Sequence, residues 1–96
     1  MAKEKKAYQR KNIVVRVYSI RDGLTEIQQA DCIRIKSERY NVMIMEDYMP
    51  ALGEIRGDLT VEAQGKVYRW EQIYGFYIHQ NNLFRLMLRE EREAAR

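Results

Sequence analysis

Apolar residues recur at every second position in this chain. The runs are short and are broken by turn-forming residues about every 8–12 positions, a pattern that fits β-strands far better than helices. Asn12-Ile13-Val14-Val15-Arg16-Val17-Tyr18-Ser19 is β-branched and puts Ile13, Val15 and Val17 on one face. Asp22-Gly23 is a turn signal, and residues 24–28 read as the return strand of a first hairpin. Residues 32–36 alternate cleanly, with Ile33 and Ile35 inward and Arg34 and Lys36 outward. After the polar turn Ser37-Glu38-Arg39, residues 40–45 are apolar on both faces, as in a strand covered on both sides.

The second half continues in the same way. Residues 54–57 read as a turn, and residues 58–62 as a strand with Leu59 and Val61 inward. Gln64-Gly65 turns the chain into a strand over 66–70. Residues 73–79 and 83–88 flank Gln80-Asn81-Asn82. Asparagine tolerates positive φ, so Asn81-Asn82 suits a two-residue hairpin turn. That register sets Tyr77 opposite Leu86 and His79 opposite Phe84 on one face. It sets Ile78 opposite Arg85 and Phe76 opposite Met87 on the other. Gly75, inside this strand, signals a bulge or a close backbone approach. Strand–helix alternation is absent, so a parallel α/β fold is excluded. The prediction is an all-β domain over residues 12–88: a small antiparallel β-sandwich or flattened barrel of about eight to ten short strands. Residues 89–96 favour helix by composition but are too few to hold one alone, which predicts a short helical or frayed C-terminal tail.

Charge is unevenly spread. Residues 1–11 carry Lys3, Lys5, Lys6, Arg10 and Lys11 against Glu4, while the whole chain has a net charge of +3. The folded part is therefore slightly acidic, and the basicity belongs to a tail expected to be disordered. A nucleic-acid domain would carry its basic stripe on the folded face. Ninety-six residues, 46% of them hydrophobic, suffice for one core and no more. A single cysteine, Cys32, permits no internal disulfide. The charged N-terminus lacks the apolar stretch of a signal peptide, and no apolar run approaches the ~20 residues of a membrane span. A cytoplasmic location is expected, with a peripheral place at the inner membrane face left open.

Candidate chemistry is sparse. His79 and Cys32 are the only residues of their types and stand far apart, a poor basis for a metal site or a Cys–His nucleophile. Glu46, Asp47, Glu54 and Asp58 read as solvated loop acids, and the dispersed glycines form no phosphate loop. No enzyme activity, metal or cofactor is expected. Tyr40, Tyr48, Tyr68, Trp70, Tyr74, Phe76 and Tyr77, with Arg16, Arg34, Arg69 and Arg85, could stack on single-stranded bases if exposed. That nucleic-acid reading is the weaker alternative.

Pro50 is the only proline. Lacking a backbone N–H, it ends any central strand, so the run Met45-Glu46-Asp47-Tyr48-Met49-Pro50-Ala51-Leu52-Gly53 is an ordered connection between parts of the fold. Its bulky residues either cap one end of the fold or form a contact patch.

Taken in order, these signals resemble the N-terminal β-sandwich domain of the epsilon subunit of F-type ATP synthase. That family has a GILPxHAPL stretch, a PGxLxI strand and a closing GGFxEVxxNxVxVL hairpin. Pro50-Ala51-Leu52 falls at the end of the first, Gly57-Asp58-Leu59-Thr60-Val61 on the second, and Gly75-Phe76 with Asn82 on the third. Met43-Ile44-Met45-Glu46 stands where the family has Gly-Ile-Leu-Pro, Tyr48 where it has His, and Tyr74 where it has the first Gly of the hairpin. The residues after Leu88 are too few for the family's C-terminal helical hairpin. The resemblance implies a non-enzymatic, rotor-binding half. It would dock through Tyr48, Met49, Pro50 and Leu52 of the proline loop and Tyr74 and Phe76 of the neighbouring strand pair. The implied partners are a gamma-like coiled coil and the rotor ring. An adaptor that kept the sandwich and took another target remains the alternative, and the oligomeric state is open.

Overall fold

A computed structural model describes residues 12–89. The expected basic tail at 1–11, and all of the expected C-terminal tail except Arg89, lie outside the described residues. Six strands follow one another: β1 (Ile13–Ser19), β2 (Gly23–Ser37), β3 (Asn41–Met45), β4 (Ala51–Ala63), β5 (Lys66–Gln80) and β6 (Leu83–Leu88). They close in the order β1–β6–β5–β4–β2 and back to β1, with β3 added beside β2. The fold is thus all-β, a five-stranded barrel with one extra strand. Every neighbouring pair is antiparallel except β1 and β6, which run parallel.

Six strands do the work expected of eight to ten because three of them are long. β2 and β5 have 15 residues each and β4 has 13. The expected breaks are bends rather than ends. In β2 the bend is at Gln29, with φ of 55°, where the register with β1 slips. In β5 it is at Gln72, with φ of 54°, where Glu71 and Gln72 together face Asp58 of β4. The Asp58 carboxylate accepts the freed Gln72 N–H at 3.0 Å, so that donor of the bulge is paired. The turn expected at 54–57 does not exist: β4 runs straight through, with Ile55 fully buried. Gly57 is there for clearance, since a Cβ at this position would lie 2.1 Å from the Lys36 carbonyl oxygen. Gly75 has the same cause, its missing Cβ lying 2.5 Å from the Met87 carbonyl oxygen.

Alternation fills the interior. Ile13, Val15, Val17, Ile33, Ile35, Ile55, Leu59, Val61, Phe84 and Leu86 are all buried in one cluster. Phe84 stacks on Tyr77 with ring centroids 5.3 Å apart, and burying a side chain of that size contributes about 2–3 kcal/mol. β3 is not covered on both faces as expected. Only Ile44 is buried, and Met43 and Met45 point outward, because β3 pairs with β2 alone and packs by one face. The last hairpin has the expected register, with Asn81 and Asn82 at φ of 53° and 58°.

Candidate docking surface

The proline loop divides its side chains. Asp47 turns the chain at φ of 64°, and the Tyr48 N–H donates to the Met45 carbonyl at 3.1 Å. The loop is tied to the tip of the β5–β6 hairpin by a reciprocal pair of bonds. The Asp47 N–H donates to Asn82 Oδ1 at 2.7 Å, and Asn82 Nδ2 donates to Asp47 Oδ1 at 3.0 Å. Tyr48 then lies partly buried against the core, its ring edge-on to His79 at 6.3 Å. Met49, Pro50 and Leu52 remain exposed. Of the two expectations for this loop, capping describes Tyr48 and an outward patch describes the other three. Accordingly, Tyr48→Ala is expected to lower stability by about 1–3 kcal/mol, whereas Met49→Ser changes it by less than about 0.5 kcal/mol. Urea denaturation of the two variants checks this.

His79 beneath the loop is fully buried, 6.1 Å from the Phe84 ring, and among the described residues neither ring nitrogen has a hydrogen-bond partner. Burial pushes its pKa below the ordinary value. The sign of the pH effect follows. The unfolded chain binds a proton as pH falls through about 6.5, while the folded barrel holds His79 neutral to lower pH. Stability is therefore full above this window and falls as pH drops through it, by up to about 1.4 kcal/mol per pH unit. Denaturation midpoints measured from pH 8 to 5 (roughly the range in which histidine titrates) should show the decline in the native chain and a shallower one in His79→Leu.

Leu52, Phe76 and Tyr74 come together on the outer face of β4 and β5. Cross-strand neighbours there are Leu52 with Ile78, Glu54 with Phe76 and Arg56 with Tyr74. Tyr74 is held in place: its hydroxyl donates to Glu54 Oε2 at 2.6 Å, and the guanidiniums of Arg56 and Arg89 lie 4.5 and 4.8 Å from its ring centre. Leu52 is 77% exposed and Phe76 46%. The face continues over β6 and β1, where Phe76 neighbours Met87 and Met87 neighbours Tyr18. Beyond them Tyr18, Ile20, Leu24, Met87 and Leu88 line an apolar hollow of about 360 Å³. Ile78, Met87, Tyr18 and Leu24 were not singled out by sequence reasoning. The hairpin register pointed to the first two, but only the parallel β1–β6 pairing adds Tyr18, and through the β1–β2 pair Leu24. Within this apolar surround, Ile78 neighbours Arg85, and Arg85 neighbours Arg16 across the parallel pair.

Elsewhere among the described residues the exposed large apolar residues are Met43 and Met45 on β3 and Val67 on β5. A hollow of about 650 Å³ beside β2, β3 and β4 mixes Arg34, Lys36 and Arg69 with Asp58 and Glu71. Cys32 is buried, and its thiol donates to Glu62 Oε1 at 3.6 Å. Burial and the Glu62 charge raise its pKa, which makes it a poor nucleophile. Among the described residues no three His, Cys, Asp or Glu side chains group as a metal site. No helix among them is long and apolar enough to cross a membrane.

No protein-family model matches the chain. No curated protein matches its sequence. Solved structures do match. One is a chain of the Euglena gracilis mitochondrial ATP synthase, from a structure of OSCP, F1 and c-ring in rotational state 1. It superposes with a TM-score of 0.70 at 17% identity, over 83% of this chain and 52% of that one. Another is a chain from the central stalk and c-ring of the Tetrahymena thermophila mitochondrial ATP synthase. It has a TM-score of 0.65 at 16% identity, over 91% of this chain and 72% of that one. The chain spans about half the length of the Euglena chain. At this level of identity the likeness establishes the fold.

Proposed function

We propose that this chain is a non-enzymatic protein-binding module of a rotary ATPase. The outer face of β4, β5 and β6, with Met49 and Pro50 at its end, docks on the central stalk. Its contacts there are a gamma-like coiled coil and the rotor ring. One observation carries the reading: Leu52, Phe76, Ile78 and Met87 stand exposed and adjacent on the outside of a closed barrel. A barrel with its core inside has no structural use for apolar residues on the outer face, and such a patch marks a contact site. The likeness to chains of two mitochondrial ATP synthases supports the choice of partner, as does the order of the three sequence motifs. A cytoplasmic place, peripheral to the inner membrane face, is proposed with it on the sequence alone.

Base stacking is disfavoured by where the aromatic residues lie. Tyr77 is buried, and Tyr40, Tyr68 and Trp70 pack against the core, so they offer few open ring faces. The test is a photo-crosslinking amino acid placed at Leu52 or at Phe76 in the native cell. Adducts with a central-stalk subunit are expected. Adducts with unrelated proteins alone would move the assignment to an adaptor, and adducts from neither position would overturn docking by this face.

A further inference from the structure

We infer that the partner segment docking on the outer face of β5, β6 and β1 brings a carboxylate to Arg85 and Arg16, set among apolar side chains. This rests on the docking role proposed above and names the chemistry of the occupant. Arg85 and Arg16 are direct neighbours across the parallel β1–β6 pair, roughly 4.8 Å apart by strand spacing. Like charges placed so are unfavourable unless something answers them. Glu26 answers one, its Oε1 lying 3.6 Å from Arg16 Nε. Arg85 makes no ion pair among the described residues. The Nε atoms of both arginines are buried and make no hydrogen bond there.

Ile78 lies on one side of Arg85, with Leu83 and Met87 two residues away along the same face of β6. An entirely apolar partner laid over Leu52, Phe76, Ile78 and Met87 would bury the Arg85 charge without a counter-ion, at a cost of several kcal/mol. An aspartate or glutamate on the partner removes that cost. It can accept a forked pair of hydrogen bonds from a guanidinium, strengthened as the apolar rim excludes water. A lysine in its place would be rejected. A second copy of this chain, docked symmetrically by the same face, would bring four arginines together and is disfavoured on the same ground.

The test uses the full chain and a phage-displayed library of amphipathic helical peptides with one randomised position inside the apolar stripe. The expected winners carry Asp or Glu at that position. Their affinity should fall at least ten-fold on Arg85→Met and on replacing the peptide's acid by Lys, and be partly kept by Arg85→Lys, which retains the charge but not the fork. Because Arg85 lies outside the core, matched thermal melts should confirm that the variants fold. Winners without an acid, or acidic winners that bind Arg85→Met equally well, overturn the inference. If such winners are still lost on Phe76→Ser, the docking face itself stands. If they ignore both substitutions, the docking reading falls too. An unenriched library overturns the inference. So does a chain that sediments as a dimer and becomes monomeric on Arg85→Met, since the occupant would then be a second copy.

Discussion

Gly57→Ala should destabilise the barrel by about 3–4 kcal/mol, enough to lower its melting temperature by roughly 12–25 °C in a domain of this size. Gly57 pairs with Ser37 of β2 on one side and with Ile73 of β5 on the other. A methyl group added there meets the Lys36 carbonyl oxygen at 2.1 Å and Ser37 Cα at 3.2 Å. Both are backbone atoms of a paired strand, so no rotamer change relieves the clash, and β2 and β4 must part at the Ser37 end of β2. The other glycines provide the scale. Gly75→Ala meets the Met87 carbonyl oxygen at 2.5 Å and should be nearly as harmful. Gly53→Ala meets only the Tyr77 ring, at 3.1 Å, and the side chain can give way. Gly23 and Gly65 have open space, but φ of 78° and 80° leaves a backbone penalty of about 1 kcal/mol for alanine. Thermal melts of the five alanine variants should therefore rank Gly57 first. A Gly57→Ala variant that melts with the native chain would mean that β2 and β4 are not this close.

The same glycine shows where sequence reading reached and where it stopped. Gly57 after Arg56 looks like turn chemistry, because glycine is the commonest way to supply positive φ. Its actual role is to let another backbone approach, which depends on Lys36 more than twenty positions earlier and is invisible locally. The alternation was legible because it records only which face is buried. Ile13, Val15, Val17, Ile33, Ile35, Leu59 and Val61 are all core residues. The Asn81-Asn82 hairpin was legible because a two-residue turn fixes its own register. The bends of β2 and β5 were not, since Gln29 and Gln72 are ordinary residues forced to positive φ by barrel closure. For the candidate surface, Leu52 was reached from the proline loop and Tyr74 and Phe76 from the neighbouring strand pair, and the three share one face. The continuation to Tyr18, and the meeting of Arg85 with Arg16, depend on a parallel pairing of the first strand with the last, which no local pattern encodes.

Joint replacement of Leu52 and Phe76 by serine should weaken binding to the protein crosslinked from Phe76 by about 100-fold or more. Two large apolar side chains at the centre of a contact contribute about 1.5–3 kcal/mol each, and every 1.4 kcal/mol is a factor of ten. Their exposure sets the effect on the barrel itself. Leu52 is 77% exposed and Phe76 46%, so the fold loses little packing when they shrink, and the expected change in stability is under about 1 kcal/mol. A surface contact is recognised by this separation of affinity from stability, because a core role would move both together. Val67→Ser is the matched control. Val67 is 54% exposed on the same strand, but it pairs with Glu62 at the far end of β5, away from the apolar face. Its substitution should leave affinity unchanged. Calorimetric titration of the native chain and the two variants, with a melt of each, makes the comparison. If Leu52→Ser/Phe76→Ser binds like the native chain, the exposed strip is not the contact, and the Met49–Pro50 end of the loop must be tested in its place. If the double variant unfolds instead, the strip belongs to the barrel's own packing, and the reason for expecting a partner on this face is gone.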